Sequence, residues 1–288
     1  MKEFEKRIGV IGKGFVGSAV SFGFGVGTGA DYEIKIYDKD ETKSSHSLED
    51  TVNTSDYIFI SVPTPSNPDG SINLDILDNC LSEIKNVMIE NHDPIILIRS
   101  TIVPGSSEMF SKKYKSLNLV FNPEFLTERN AQFDFISQTR YVLGGDKKLT
   151  KKVADLYKDR FGESVSIIET NFETAELIKY MCNTYFALKI SFLNEMKLLS
   201  DSCGADWNDC VEGLVRDGRI GHSHMNIPGP DGKMGFGGSC FPKDIQAIIN
   251  YADLKNVDLK TLKAAWNTNL DVRPEKDWEK LVGRAVSE

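Results

Sequence analysis

The amino-acid sequence predicts an α/β fold: a doubly wound, mainly parallel sheet followed by an all-helical domain. Three observations lead there. Seven short apolar runs alternate with polar stretches of helical periodicity up to residue 170. The first run leads into a G-x-G-x-x-G pattern at Gly12, Gly14 and Gly17. Beyond residue 170 the strand signal stops, and a long proline-free stretch begins at Phe172. A chain of 288 residues suits two domains at a prior of roughly 150 residues each. The division is expected between 1–170 and 171–288.

The runs are RIGVIG, EIKIYD, YIFISVP, PIILIRST, NLVFNPEF, YVLGG and SVSIIET. They are mostly continuous and apolar, as in strands covered on both faces. Stretches such as LDILDNCLSEIKNVMIE lie between them, so the pattern is βαβ and the sheet mainly parallel. After the first run, Gly12 permits a tight turn and Gly14 lets the backbone approach a pyrophosphate. Gly17 lets the following helix, SAVSFGF, pack closely on the strand. The helix N-terminus then faces the anion. That is the setting of a Rossmann-like dinucleotide site. Asp38, closing EIKIYD, stands 21 residues after Gly17, near the usual spacing of about 20. A carboxylate there bonds ribose hydroxyls and repels a 2′-phosphate, which selects NAD over NADP.

The stretch FETAELIKYMCNTYFALKISFLNEMKLLSDSCGA, from Phe172 on, reads as one long helix. Leu177, Met181, Tyr185, Leu188 and Phe192 lie on one side, and Phe186, Ile190 and Leu193 on another. A helix apolar nearly all round is buried between layers or in a subunit interface. Pairing with a second copy, as a two-fold homodimer, is the expectation. Lys179 and Asn183, four residues apart, share one stripe with Phe172, Ala175, Phe186, Ile190 and Leu193. A lysine and an amide placed there must meet something polar. Further helices are expected at WNDCVEGLVRD, PKDIQAIINYAD and LKTLKAAWNTN.

The stretch GFGGSCFPKD (235–244) presents Cys240 on nearly bare backbone. A reactive cysteine is a thiolate in positive, accessible surroundings. Lys243 supplies nearby charge, and Asp244 follows at i+4, close enough to orient a water or manage a proton. Cys80, Cys182, Cys203 and Cys210 sit in apolar or helical stretches, where cysteine serves as a small hydrophobe. The absence of a C-x-x-C pair argues against a disulfide framework or a zinc site. His222 and His224 read as loop residues rather than metal ligands. The net charge of −8 argues against nucleic-acid or anionic-membrane surfaces. No apolar run approaches the ~20 residues of a membrane helix. The charged start, MKEFEKRIGV, lacks the apolar centre of a signal peptide, so a cytoplasmic protein is expected.

GFGGSCFPKD, NPEFLTE (122–128) and AELIKYMCN (175–183) together resemble the UDP-glucose/GDP-mannose (nucleotide-sugar) 6-dehydrogenase family, in the family's order. RIGHSHMNIPGPDG looks most like its UDP-glucose branch. The resemblance implies an NAD-dependent four-electron oxidation of a nucleotide sugar, through a thiohemiacetal and a thioester on Cys240. It implies that Lys179 and Asn183 stabilise the developing oxyanion. Glu124 would be the base for thioester hydrolysis, and Thr101 would help hold the water. On the cofactor it implies Gly12, Gly14, Phe15, Val16, Gly17, Asp38, Lys43, Val62, Pro63, Thr64, Ser100, Thr101, Glu128 and Lys243. On the substrate it implies Glu124, Phe125, Leu126, Lys179, Asn183, Phe236, Gly237 and Cys240. Arg219 matches an arginine offered by the neighbouring subunit.

The family's usual chain is longer and ends in a third domain that holds the nucleotide. This sequence reaches Glu288 without it, which leaves open a catalytically weak NAD-binding or assembly protein. A two-electron dehydrogenase of the hydroxyacid or 6-phosphogluconate type is the other alternative. Such enzymes need no cysteine.

Overall fold

A computed structural model describes residues 6–287, so the first half of the charged N-terminal decapeptide lies outside the described residues. The elements begin with β1 (Arg7–Ile11), α1 (Phe15–Phe24), β2 (Glu33–Tyr37), α2 (Leu48–Thr54), β3 (Tyr57–Ile60) and α3 (Asp75–Val87). Then come β4 (Ile95–Ile98), α4 (Ser106–Lys113), β5 (Asn118–Phe121), α5 (Ala131–Ser137), β6 (Tyr141–Gly145), α6 (Lys147–Phe161) and β7 (Ile167–Thr170). The remainder is helical: α7 (Phe172–Cys203), α8 (Trp207–Val215), α9 (Phe241–Leu254) and α10 (Lys260–Val272). Each of the seven apolar runs forms a strand.

The strands join in one sheet of order β2-β1-β3-β4-β5-β6-β7. All neighbours are parallel except β5 and β6. Period-two alternation gives the sheet two apolar faces. Ile8, Val10, Phe59, Leu97 and Val120 meet Val20 and Phe24 of α1, Phe135 of α5 and Val153 and Tyr157 of α6. Ile58, Ile60, Ile96, Ile98, Leu119 and Phe121 meet Val52 of α2, Leu77, Leu81 and Ile84 of α3 and Phe110 of α4. Because the order reverses at β1, the loops after β1 and β3 part at the carboxyl edge, where this architecture binds ligands.

The chain divides into two units, with breaks after Thr64, after Asn73 and after Lys179. The last break falls inside α7 rather than at 170/171, because Phe172 and Ala175 belong to the sheet's core. Residues 65–73 group with the helical unit. There the Ser66 N–H donates to the Ala285 carbonyl at 3.0 Å and the Ser287 N–H to that of Ser66 at 2.7 Å. The helical unit's own core gathers Ala187, Ile190 and Leu193 of α7, Val215, Met225, Phe236, Ile245 and Ala265.

Two cysteines depart from expectation. Cys80 is buried in α3, but Cys203 and Cys210 are exposed. Cys203 ends α7, and Cys210 lies on the outward side of α8, which buries only Val215. Among the described residues, no helix is long and apolar enough to cross a membrane.

Candidate active site

Steric necessity shapes the loop after β1. Gly12 has φ of +88°, and a Cβ there would stand 2.7 Å from the Ser61 carbonyl oxygen. A Cβ on Gly17 would collide with the Gly12 carbonyl oxygen. Gly14 is different, with no atom within 4 Å of where its Cβ would stand. It is also the N-cap of α1, and no side chain caps that helix. Open space before uncapped amides suits a phosphate group, so these residues fit a dinucleotide. Phe15 and Glu128 border one groove, together with Ser18, Asn130 and Phe133. Val16 lies between Phe15 and Gly17 in the first turn of α1.

Asp38, just past β2, accepts hydrogen bonds from the Lys13 N–H at 2.6 Å and the Asp40 N–H at 2.9 Å. It therefore ties the glycine loop to its own turn. Lys43 lies in that exposed turn, paired with Asp40 at 3.1 Å. The loops after β3 and β4 are stitched together. Ser100 Oγ donates to the Val62 carbonyl at 2.6 Å, and Thr64 Oγ1 to the Thr101 carbonyl at 2.7 Å. Pro63 between them is exposed.

After β5, Glu124 is buried, and α7 brings Lys179 to it. The Lys179 ammonium donates to Glu124 Oε1 at 2.8 Å and to its carbonyl at 2.6 Å, while the Leu126 N–H donates to Oε2 at 2.7 Å. Burial would push the Glu124 carboxyl up. Lys179, the Leu126 N–H and the Arg99 charge outweigh burial and hold it below the usual carboxylate range. Two cations lie over the Phe125 ring, the Arg140 guanidinium carbon 4.2 Å and the Lys179 ammonium 5.5 Å from its centre. The polar partner demanded for Lys179 is thus Glu124.

In the helical unit, Asn183 Nδ2 donates to Asp244 Oδ2 at 2.5 Å, and the Lys243 ammonium donates to Oδ1 at 2.5 Å. All three side chains are buried. The positive charge expected from Lys243 is therefore committed to Asp244. Cys240 is half-buried and is the N-cap of α9, with no side-chain cap bond. Its loop is pinned from two helices. The Gly235 N–H donates to Asn194 Oδ1 at 2.9 Å and the Phe236 N–H to Asn269 Oδ1 at 2.7 Å. A Cβ on Gly237 would stand 2.5 Å from Arg273 Nη2. Arg273 itself donates to Asp277 at 2.9 Å and Asp231 at 2.7 Å. Arg219 is exposed and bonds Asp217 of its own loop at 2.8 Å.

Asn194, Asn269 and Arg273 were absent from the sequence-derived set. One signal pointed to Asn194, an amide at i+4 from Ile190 on the buried stripe of α7. No comparable signal marks Arg273, whose contacts with Asp231 and Gly237 bring in loops distant in sequence.

A doubly wound sheet, an uncapped helix behind a bare glycine and an acid closing β2 define a dinucleotide-binding protein of the Rossmann class. Residues 32–160 match the UDP-glucose/GDP-mannose dehydrogenase family, NAD binding domain, and residues 173–271 match that family's central domain. The chain belongs to this family. The first match begins after the glycine loop, whose assignment rests on its own geometry. The UDP-glucose 6-dehydrogenase of Rickettsia prowazekii is 35% identical over 244 residues, covering 83% of this chain and 55% of that protein. The chain thus spans little more than half the length of that relative. A UDP-glucose dehydrogenase structure from Pyrobaculum islandicum superposes with a TM-score of 0.79 at 27% identity, covering 92% of this chain and 68% of that one. A 3-hydroxyisobutyrate dehydrogenase of Mycobacterium tuberculosis superposes with a TM-score of 0.73 over 94% of both chains, but at 16% identity. That likeness shows the fold alone.

Proposed function

We propose that the protein oxidises the primary alcohol of a nucleotide sugar to a carboxylate, converting UDP-glucose to UDP-glucuronate. The observation that carries this reading is Cys240 at the uncapped start of α9, in a family-matched domain with a buried Asn183–Asp244–Lys243 network. NAD, when bound, supplies the hydride acceptor for both oxidations. In the first, the 6-hydroxyl loses its proton and the carbon that bears it loses a hydride, leaving an aldehyde. The Cys240 thiolate adds to the aldehyde carbon, giving a thiohemiacetal. Loss of the thiohemiacetal's hydroxyl proton and of a second hydride from its carbon leaves a thioester. Water then cleaves the carbon–sulfur bond, returning the thiolate and releasing the acid. Four electrons leave as two hydrides, and one water enters.

The chain's residues suit these steps. First-turn amides of α9 favour negative charge on the sulfur. Lys179 and Asn183 donate to the oxygen that turns anionic. Glu124, held as a carboxylate, suits a base that deprotonates the hydrolytic water, with Thr101 helping to position it. Asp38 selects NAD. The homodimer belongs to this reading too. Leu177, Met181, Tyr185, Phe192 and Met196 form a spaced row on α7 and are 37–63% exposed, as a face awaiting a second copy would be. Such a pairing would offer Arg219 to the neighbour's substrate. The expected site of action is the cytoplasm.

Measuring NADH formed per UDP-glucose consumed tests the chemistry, and two is the expected ratio. A ratio of one would return the two-electron reading, and no turnover on any nucleotide sugar would overturn the assignment.

A further inference from the structure

Glu176 stands one turn before Lys179 on α7 and is wholly buried. Its Oε2 accepts the Gly105 N–H at 2.6 Å and its Oε1 the Ser107 N–H at 2.8 Å. Gly105 is the N-cap of α4, in left-handed backbone with φ of 93°, and no side chain of its own segment caps that helix. Glu176 does from a distant helix what an N-cap side chain does locally. The segment it holds begins with Ser100 and Thr101, which are bonded to the loop after β3. Lys179, on the same face of α7, holds Glu124 in the loop after β5. One turn of helix thus ties down the loops that follow β4 and β5.

We propose that Glu176 is a positioning residue, holding the loop of Thr101 in register with the helix that carries Lys179. The proposal rests on the reaction proposed above. A helix cap alone does not account for a carboxylate here. Burial pushes this group up to about 7, against the two amides that favour its charge, and the Glu173 carboxylate on the same helix adds to the rise. Among the described residues no lysine or arginine pairs with it. Glu108, in the first turn of α4, is taken up by Lys112. The folded chain therefore binds this proton more tightly than the unfolded one, so Glu176 lowers stability as pH rises from 4.5 to about 7. A glutamine would cap α4 without that penalty. What glutamine cannot do is accept both amides with full negative charge.

The test compares the full chain with Glu176→Gln and Glu176→Ala. It reads kcat and KM with UDP-glucose at saturating NAD, thermal unfolding at pH 5 and pH 8, and hydrogen exchange across residues 100–110. Glu176→Gln is expected to unfold no lower than the parent at pH 8. Its kcat should still fall about tenfold or more, as for a small displacement of catalytic groups, with KM little changed. Exchange at Gly105 and Ser107 should quicken. Rescue of exchange and kcat is not expected in Glu176→Ala, which removes both bonds. Parent-like kcat in a folded Glu176→Gln, or a loss confined to stability, overturns the proposal. If the parent chain turns over no nucleotide sugar, the functional reading fails instead. Exchange and NAD affinity of Glu176→Gln then decide the positioning role, and parent-like values for both overturn it.

Discussion

Lys179 and Glu124 are each nearly free of solvent, at 3% and 6% exposure, so neither charge stands without the other. Removing one partner of a buried pair typically costs about 3–5 kcal/mol. The pH dependence follows from the lowered Glu124 carboxyl. Its contribution is complete above the ordinary value of 4.5 and is lost as pH falls toward the folded-state value. The stability difference between the parent and Glu124→Gln should be flat above that point and shrink below it, as urea unfolding across pH 3–7 would show. Cys240 carries the sharper prediction. Cys240→Ala should abolish acid formation while leaving NAD binding intact. Cys240→Ser should accumulate an ester or stall, visible as an adduct by mass spectrometry. Steady acid production by the alanine variant would remove the covalent mechanism.

Two elements turn sequence oddities into constraints. The glycines of GFGGSC read as access for substrate, but Gly237 also has a packing reason in the Arg273 guanidinium. Gly237→Ala should displace the loop at a cost of roughly 1–3 kcal/mol, the usual range for overpacking. Its thiol should react more slowly with iodoacetamide than the parent's, and unchanged labelling would count against the contact. On α7, Lys179 and Asn183 were legible because a charge and an amide interrupt an apolar stripe at helical spacing. The exposed row on the same helix was legible only in part: Leu177, Met181, Tyr185 and Phe192 read as one apolar side, but Leu188, read with them, packs against the helical unit's core, and Met196 takes its place in the row. Met181→Glu with Tyr185→Glu should yield a monomer by light scattering with little change in folding, since both side chains face solvent. Glu176, Asn269 and Arg273 were not legible, and Asn194 only by its place on the buried stripe. Glu176, Asn194 and Asn269 work through partners distant in sequence, as Arg273 does through Asp231 and Gly237, and spacing along one segment carries no trace of such partners.

For the molecule as a whole, alternation of apolar runs was sufficient to foresee seven strands and a parallel sheet, since burial on both faces demands it. The two-unit division was less visible, because α7 continues through the break and 65–73 looks like an ordinary proline-rich turn. Cofactor choice is tested at this scale. NAD at 100 times its dissociation constant should stabilise by about 2.7 kcal/mol, a rise of roughly 2–4 °C in Tm per kcal/mol for a unit of this size. NADP at the same concentration should do far less, and a larger NADP shift would refute the role of Asp38. The placement of 65–73 also sets a timetable for the growing chain. Ser66 and its partner Ala285 are 219 positions apart. At roughly 5–20 residues per second of synthesis, the second arrives on the order of 10–45 s after the first. The sheet can close within that interval, while 65–73 waits for neighbours still being translated. A nascent chain arrested before Ala285 should therefore protect its strands from protease and still be cut within 65–73.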